Sequence, residues 1–249
     1  MPMEASRYAQ WQGAVGIVGA IESEVVLLES ALEDVCCFDM GAAHLVGGTL
    51  EGSKVIVARS GVGKVNAATS AQSLAVLGAS SVINTGVAGA VGEGLRIGDY
   101  VVATSCIQHD FDVSHFGLEI GHIPGFPSKA FKTDDALRTA LADTVTRKTG
   151  SVPFEGCIVS GDRFIGDACE KHRLSQAFGA LCCDMEAAAI AQVCTAARIP
   201  FAVVRVVSDL ADGSQPENYK RFETEAAHAS AAIVQMAIRT FGGLQAHAL

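Results

Sequence analysis

Two glutamates in this chain stand where a helix should be apolar. On a helical wheel of about 100° per residue, Leu28, Ala31, Leu32 and Val35 fall on the side of Glu24, whereas Glu22, Glu29 and Glu33 fall on the opposite face. The same construction over residues 185–197 places Glu186 among Ile190, Val193, Cys194 and Ala197 and turns Asp184 and Thr195 away. A carboxylate on a core-facing stripe is costly unless it is paired or hydrogen-bonded, and such positions are enriched in acid–base function. A plainer account exists for each alone, because both stand near helix starts, where the helix dipole stabilises an anion.

Arg205 repeats the anomaly on a strand. Flanked by Val203, Val204, Val206 and Val207, it is a cation inside an apolar run and needs an anionic partner or ligand. Ser208 and Asp209 follow at the carboxyl end of that strand, where α/β sheets place their ligand crevices. Asp209 could merely cap the next turn. Two inward glutamates, a buried arginine and an aspartate at a strand end are together harder to explain structurally than any one of them.

The elements that must position these groups alternate. Residues 14–21 read as a buried strand and 22–35 as a helix; 54–58 repeat the strand, Ser60, Gly61, Val62 and Gly63 form a turn, and 64–77 are helical. Further strands are predicted at 80–85, 99–104, 156–159 and 201–207, the clearest helix at 185–197 and a last helix at about 219–241. Residues 108–129 form the longest irregular stretch. This order predicts an α/β fold, a single-domain three-layer α/β/α sandwich about a central mixed, largely parallel sheet.

Composition narrows the partners. A chain of 249 residues with 49% hydrophobic positions can bury one substantial core. A net charge of -9 without any Lys/Arg run argues against nucleic acid and anionic membrane and in favour of a small-molecule ligand. There is no secretory signal pattern and no apolar span long enough for a membrane helix, so a cytoplasmic location is expected. The eight cysteines lie in apolar stretches such as Cys36–Cys37 and Cys182–Cys183 and read as free, buried thiols.

Taken in order, several segments carry a family signature. Residues 19–24 (Gly-Ala-Ile-Glu-Ser-Glu), 60–68 (Ser-Gly-Val-Gly-Lys-Val-Asn-Ala-Ala), 84–89 (Asn-Thr-Gly-Val-Ala-Gly), 160–165 (Ser-Gly-Asp-Arg-Phe-Ile), 185–189 (Met-Glu-Ala-Ala-Ala) and 204–212 (Val-Arg-Val-Val-Ser-Asp-Leu-Ala-Asp) resemble the bacterial methylthioadenosine/S-adenosylhomocysteine nucleosidases of the nucleoside phosphorylase superfamily. The resemblance covers roughly residues 16–238, within a nucleosidase domain of residues 14–249 preceded by an N-terminal extension of residues 1–13. It implies a nucleoside phosphorylase-like fold, Glu24 as general base for an attacking water and Asp209, supported by Ser208, as the acid at adenine N7. It further implies that Phe164 stacks on the base, Ile165 offers it backbone hydrogen bonds, Met185 and Glu186 hold the ribose, and Arg205 orders the water. Ile21, Val62 and Val87 complete the substrate contacts. Val113, Phe116 and Tyr219 match positions lining the pocket for the 5′-substituent, with Phe116 reaching a neighbour's pocket in a homodimer. The family often has Met at Ile21, Glu at Asp184 and in some members Ser at Val87.

These groups suit hydrolysis of a ribosyl bond, which generates a cation-like sugar and a purine that leaves well only once protonated. Water as nucleophile needs a base, whereas phosphate needs cations or a nest of backbone donors, so Glu24 favours a hydrolase. Arg59 and the turn at residues 61–63 keep a phosphate-dependent phosphorylase open as the alternative, and a non-catalytic nucleoside-binding protein of the same fold would lack the acid or the base. Gly13, Gly16 and Gly19 lack dinucleotide spacing, and Ala58 and Val65 break the P-loop pattern around Gly63–Lys64. His109, Asp110, Asp112 and His115 read as polar loop groups near the pocket rather than metal ligands, so neither metal nor cofactor is expected.

Overall fold

The computed structural model describes residues 8–41, 43–211 and 216–245. The chain runs β1 (Val15–Gly19), α1 (Glu22–Ser30), β2 (Glu33–Met40), β3 (Ala43–Leu50), β4 (Ser53–Arg59), α2 (Lys64–Val76), β5 (Ser81–Asn84), β6 (Val87–Ala90), β7 (Tyr100–Gln108), β8 (Phe131–Lys132), α3 (Asp135–Thr149), β9 (Phe154–Ser160), α4 (Ala168–Phe178), β10 (Ala180–Asp184), α5 (Ala187–Ala197), β11 (Phe201–Asp209) and α6 (Pro216–Gln245). The strands form one mixed sheet in the order β2-β3-β4-β1-β5-β11-β6-β10-β9-β7-β8.

Strand β11 organises this sheet. Its first residues pair in parallel with β5, and its later ones pair in parallel with β6 and antiparallel with β7. Because β6, β10, β9 and β7 pair in succession, the second half of the sheet closes into a ring on β11, while the first half stays open to β2.

Side-chain alternation along the strands divides the core in two. Ala202 and Val204 pack with Val15 and Ile17 against α1, α3 and α6, through Leu28, Leu141, Ile238 and Phe241. Val203 and Val207 face the other way, onto α2 and α5, through Leu74, Ala188 and Ile190. Arg205 shares the parity of Val203 and Val207, so it points to the α2/α5 side. Gly16 is required there, since a Cβ on it would lie 2.7 Å from Leu74 Cδ1.

The structure corrects several boundaries. The first helix stops at Ser30 rather than residue 35, because residues 33–40 leave to pair antiparallel with β3; Val35 is exposed. The helix expected from residue 185 begins at Ala187, since residues 180–184 form β10. Strands β2, β3, β6, β8 and β10 and helices α3 and α4 go beyond the elements read from sequence. Cys36, Cys37 and Cys169 are exposed, correcting the expectation of buried thiols, whereas Cys106, Cys182, Cys183 and Cys194 are buried. No helix among the described residues is long and apolar enough to cross a membrane.

Before β1, a 3-10 turn at Ala9–Trp11 docks on the open edge of the sheet. The Trp11 ring stacks on Phe38 at 5.6 Å and covers Gly47, where a Cβ would fall 2.1 Å from the indole. Truncating a buried aromatic residue costs about 3–5 kcal/mol. Trp11→Ala should therefore lower unfolding stability by about 3 kcal/mol in denaturant melts; a change below about 0.5 kcal/mol would show that this turn does not contribute to the fold.

Candidate active site

A cleft of about 560 Å³, counting its open mouth, lies beside β6 at the carboxyl ends of β1, β9, β10 and β11. Ile21, Glu24, Val62, Val87, Phe164, Ile165, Met185, Glu186, Ser208 and Asp209 all line it. These residues come from six separate segments, so the fold brings together what the sequence keeps far apart.

Glu24 is at the third position of α1 and 5% exposed. Its Oε2 accepts the N–H of Ala20 at 2.6 Å and of Ile21 at 3.2 Å, and its Oε1 accepts that of Val87 at 2.9 Å. Such close approach requires Gly86: its φ of 150° is unfavourable for other residues, and a Cβ would lie 2.2 Å from Oε1. Burial raises the carboxyl above its ordinary range, while the charge of Arg205 and the three amides oppose that rise.

Asp209 ends β11 just after an irregularity in its register with β6, of the kind that re-aims side chains at sites. Ser208, fully buried, donates from Oγ to Asp209 Oδ2 at 3.0 Å, and Ala211 N–H donates to Oδ1 at 2.9 Å. Gly89 leaves room for this carboxyl, since a Cβ there would approach Oδ1 to 2.9 Å.

Glu186 occupies the N-cap position of α5, and its carboxylate closes the cleft on another side. Its Oε1 accepts Gly63 N–H at 2.7 Å, and Asp162 Oδ1 accepts Lys64 N–H at 2.8 Å. Two carboxylates thereby fill the amino end of α2, the position at which a helix would otherwise bind a phosphate. Two nearby cations are engaged as well: Lys64 Nζ lies 2.6 Å from Asp110, and the exposed Arg59 is 3.8 Å from Glu22.

Arg205 does not line the cleft. Its Nε and Nη2 donate to Asp184 Oδ2 at 3.0 and 2.7 Å, Nη1 donates to the carbonyls of Asn84 and Val204, and Nη2 also donates to Asn84 Oδ1. All five guanidinium donors are taken by protein. None remains for a water, so Arg205 acts on the cleft as a buried charge, unlike the role implied by resemblance. Asp184, expected to face away, is its counter-ion, with both side chains almost wholly buried.

Val113 and Phe116 stand outside the cleft of their own chain, and Phe116 is 80% exposed in a short turn at Ser114–Phe116. Tyr219 falls within α6, and its side chain lies outside the described residues. Sequence reasoning missed Arg163, Cys183 and Asp184 as lining residues; the burial of Asp184 comes from its pairing with Arg205, which leaves no local signal. His109 is buried beside Gly161, and Asp110 bonds both Lys64 and the Asp162 amide.

Burial, with the nearby Asp184 carboxylate, pushes Glu186 up to about 7; the Gly63 amide and Arg205 oppose this. A carboxyl raised on folding contributes stability that is full below its unfolded value near 4.5 and is lost as pH rises through about 7. Unfolding stability should thus fall between pH 4.5 and 7.5, and Glu186→Gln should flatten that fall. An identical pH dependence in wild type and variant would show that Glu186 titrates as an ordinary carboxyl.

Comparison with known proteins agrees with this geometry. The sequence profile of the phosphorylase superfamily matches residues 14–239. The 5′-methylthioadenosine/S-adenosylhomocysteine nucleosidase of Staphylococcus haemolyticus is 37% identical over 227 residues, covering 90% of this chain and 99% of that one. The structure of the corresponding nucleosidase of Neisseria meningitidis, in complex with methylthio-immucillin-A, superposes with a TM-score of 0.87 at 37% identity, covering 91% of this chain and 99% of that one. The futalosine hydrolase of Helicobacter pylori reaches a TM-score of 0.86 at 31% identity, covering 93% and 99%, so the fold alone does not select the nucleoside. By the extent and identity of these matches, the chain belongs to the phosphorylase superfamily and, within it, to the 5′-methylthioadenosine/S-adenosylhomocysteine nucleosidases.

Proposed function

We propose that this protein hydrolyses the N-glycosidic bond of S-adenosylhomocysteine and 5′-methylthioadenosine, and also of 5′-deoxyadenosine, releasing adenine and the 5′-substituted ribose. The reaction uses residues of one cleft. Asp209 gives its proton to purine N7 as the C1′–N9 bond breaks and its electron pair passes to the base. Water bonds to C1′ while Glu24 takes its proton. Phe164 stacks on the base, the Ile165 backbone hydrogen-bonds it, and Met185 and Glu186 hold the ribose, with Ile21, Val62 and Val87 completing the walls.

One observation carries the choice of water over phosphate. The α2 amino end and the adjacent Lys64 are already satisfied by Glu186, Asp162 and Asp110, and Glu24 and Glu186 would repel a phosphate dianion. Burial of Glu24 also ties turnover to pH, because a base must lose its proton first; rate should climb with pH through its raised value. In this reading residues 14–249 are the nucleosidase domain, residues 1–13 an extension of it, and the enzyme works in the cytoplasm.

Adenine release should persist in phosphate-free buffer. Glu24→Gln should lower kcat by about 10²–10⁴-fold, and Asp209→Asn by about 10²-fold or more while KM moves much less. Strict phosphate dependence would make the protein a phosphorylase. Turnover by a folded Asp209→Asn protein within a few-fold of wild type would remove Asp209 as the acid, since a structural cap tolerates Asn.

We also propose a homodimer in which Phe116 covers the partner's 5′-substituent pocket, which accounts for so large an apolar side chain left 80% exposed. Light scattering should give twice the chain mass, and Phe116→Ala should raise KM most for substrates with the larger 5′-groups. A fully active monomer would contradict both points.

A further inference from the structure

The buried charges beneath the cleft do not balance: Glu24, Glu186 and Asp184 surround a single guanidinium, that of Arg205. Geometry determines which carboxylate claims it. Arg205 gives Asp184 Oδ2 two hydrogen bonds and gives Glu24 none. The other oxygen of Asp184 accepts the Ser160 hydroxyl at 2.5 Å and the N–H groups of Glu186 and Ala187 at 3.3 Å each. One oxygen thus holds the cation next to Glu24, and the other caps the helix start that carries Glu186.

We propose that Asp184 is a positioning residue for the reaction: by binding Arg205 on one oxygen and the start of α5 on the other, it withholds the guanidinium from Glu24 and keeps that carboxylate basic. An aspartate at this place is the only described carboxylate paired with Arg205. With its charge removed, the uncompensated guanidinium would stabilise ionised Glu24, and a less basic carboxylate abstracts a proton from water more slowly. The direction agrees with the electrostatics of the site, where Arg205 lowers and burial raises the Glu24 carboxyl. Glu186 faces the same cation from the start of α5 and responds in the same sense. The other titratable neighbours, Cys106 on β7 and Cys182 and Cys183 on β10, are pushed up by burial and stay neutral thiols.

The inference rests on the proposed role of Glu24 as base, so its test includes a reading independent of turnover. Carboxyl titrations followed by NMR on the full chain carrying ¹³C-labelled Glu, assigned with Glu24→Gln and Glu186→Gln, should show Glu24 titrating about one pH unit or more lower in Asp184→Asn than in wild type. The acid limb of log kcat against pH should move with it and the plateau should drop, while Asp184→Glu restores both. An unmoved Glu24 titration in a folded Asp184→Asn protein would overturn the proposal. If Asp184→Asn does not fold, Asp184→Asn combined with Arg205→Gln removes both charges. Glu24 should then titrate within about one unit of wild type, and a larger rise would overturn the proposal, because it would show that Arg205 acts on Glu24 without screening by Asp184. Wild type that releases no adenine, with the titration shifts as stated, would sink the nucleosidase reading and leave the placement of charge intact.

Discussion

A guanidinium with no solvent around it must have every donor satisfied, and meeting that demand for Arg205 arranges the rest of the site. Its partners come from two strand ends and its own strand: Asn84 closes β5, Asp184 closes β10, and Val204 precedes it on β11. Removing one member of such a pair costs about 3–5 kcal/mol, because the other is stranded in a medium that cannot solvate it. The carboxyl ends of the strands are thereby held in register at one point. The segments that follow them, residues 85–89, 185–186 and 208–211, then converge on one cleft.

Convergence of carboxylates has to be offset by donors, and the backbone supplies them. Glu24 takes three amides, Glu186 the amide of Gly63 and Asp209 that of Ala211, so each acidic group is met by N–H dipoles fixed by secondary structure. Donors that are preorganised in this way need little rearrangement as charge develops during reaction. Gly86 and Gly89 permit the contacts, because side chains there would collide with Glu24 and Asp209. The same arrangement closes the amino end of α2 to a free anion: the amides of Gly63 and Lys64 are already engaged by Glu186 and Asp162.

How much of this the sequence disclosed depended on whether a residue broke a pattern. Glu24 and Arg205 did, each lying in an apolar run, and both are buried as expected. The sequence pattern places Glu186 inside a helix from residue 185, whereas it stands at the N-cap position of a helix that begins at Ala187, and its buried carboxylate turns to the Gly63 amide at the start of α2. Asp184 gave no such signal, since its burial comes from pairing with a residue 21 positions away. Similar limits hide whole elements. Strand β2 is largely exposed and lacks clean alternation, and β6 and β10 are short strands completed by non-local pairing. Helix α3 has an ordinary amphipathic pattern and an Asp134 cap, so it was legible and overlooked. The closure of the sheet on β11 has no local signature at all.

The position of Trp11 has a spectroscopic consequence. It is the single tryptophan of the chain, 6% exposed, stacked on Phe38 and seated over Gly47 at the open edge of the sheet, and it takes no part in lining the cleft. Intrinsic indole emission therefore reports the docking of the amino-terminal turn on β2 and β3. Loss of that edge reddens the emission while the ring of strands around β11 can still be intact, so fluorescence and far-ultraviolet dichroism coincide only where the two halves of the sheet unfold together.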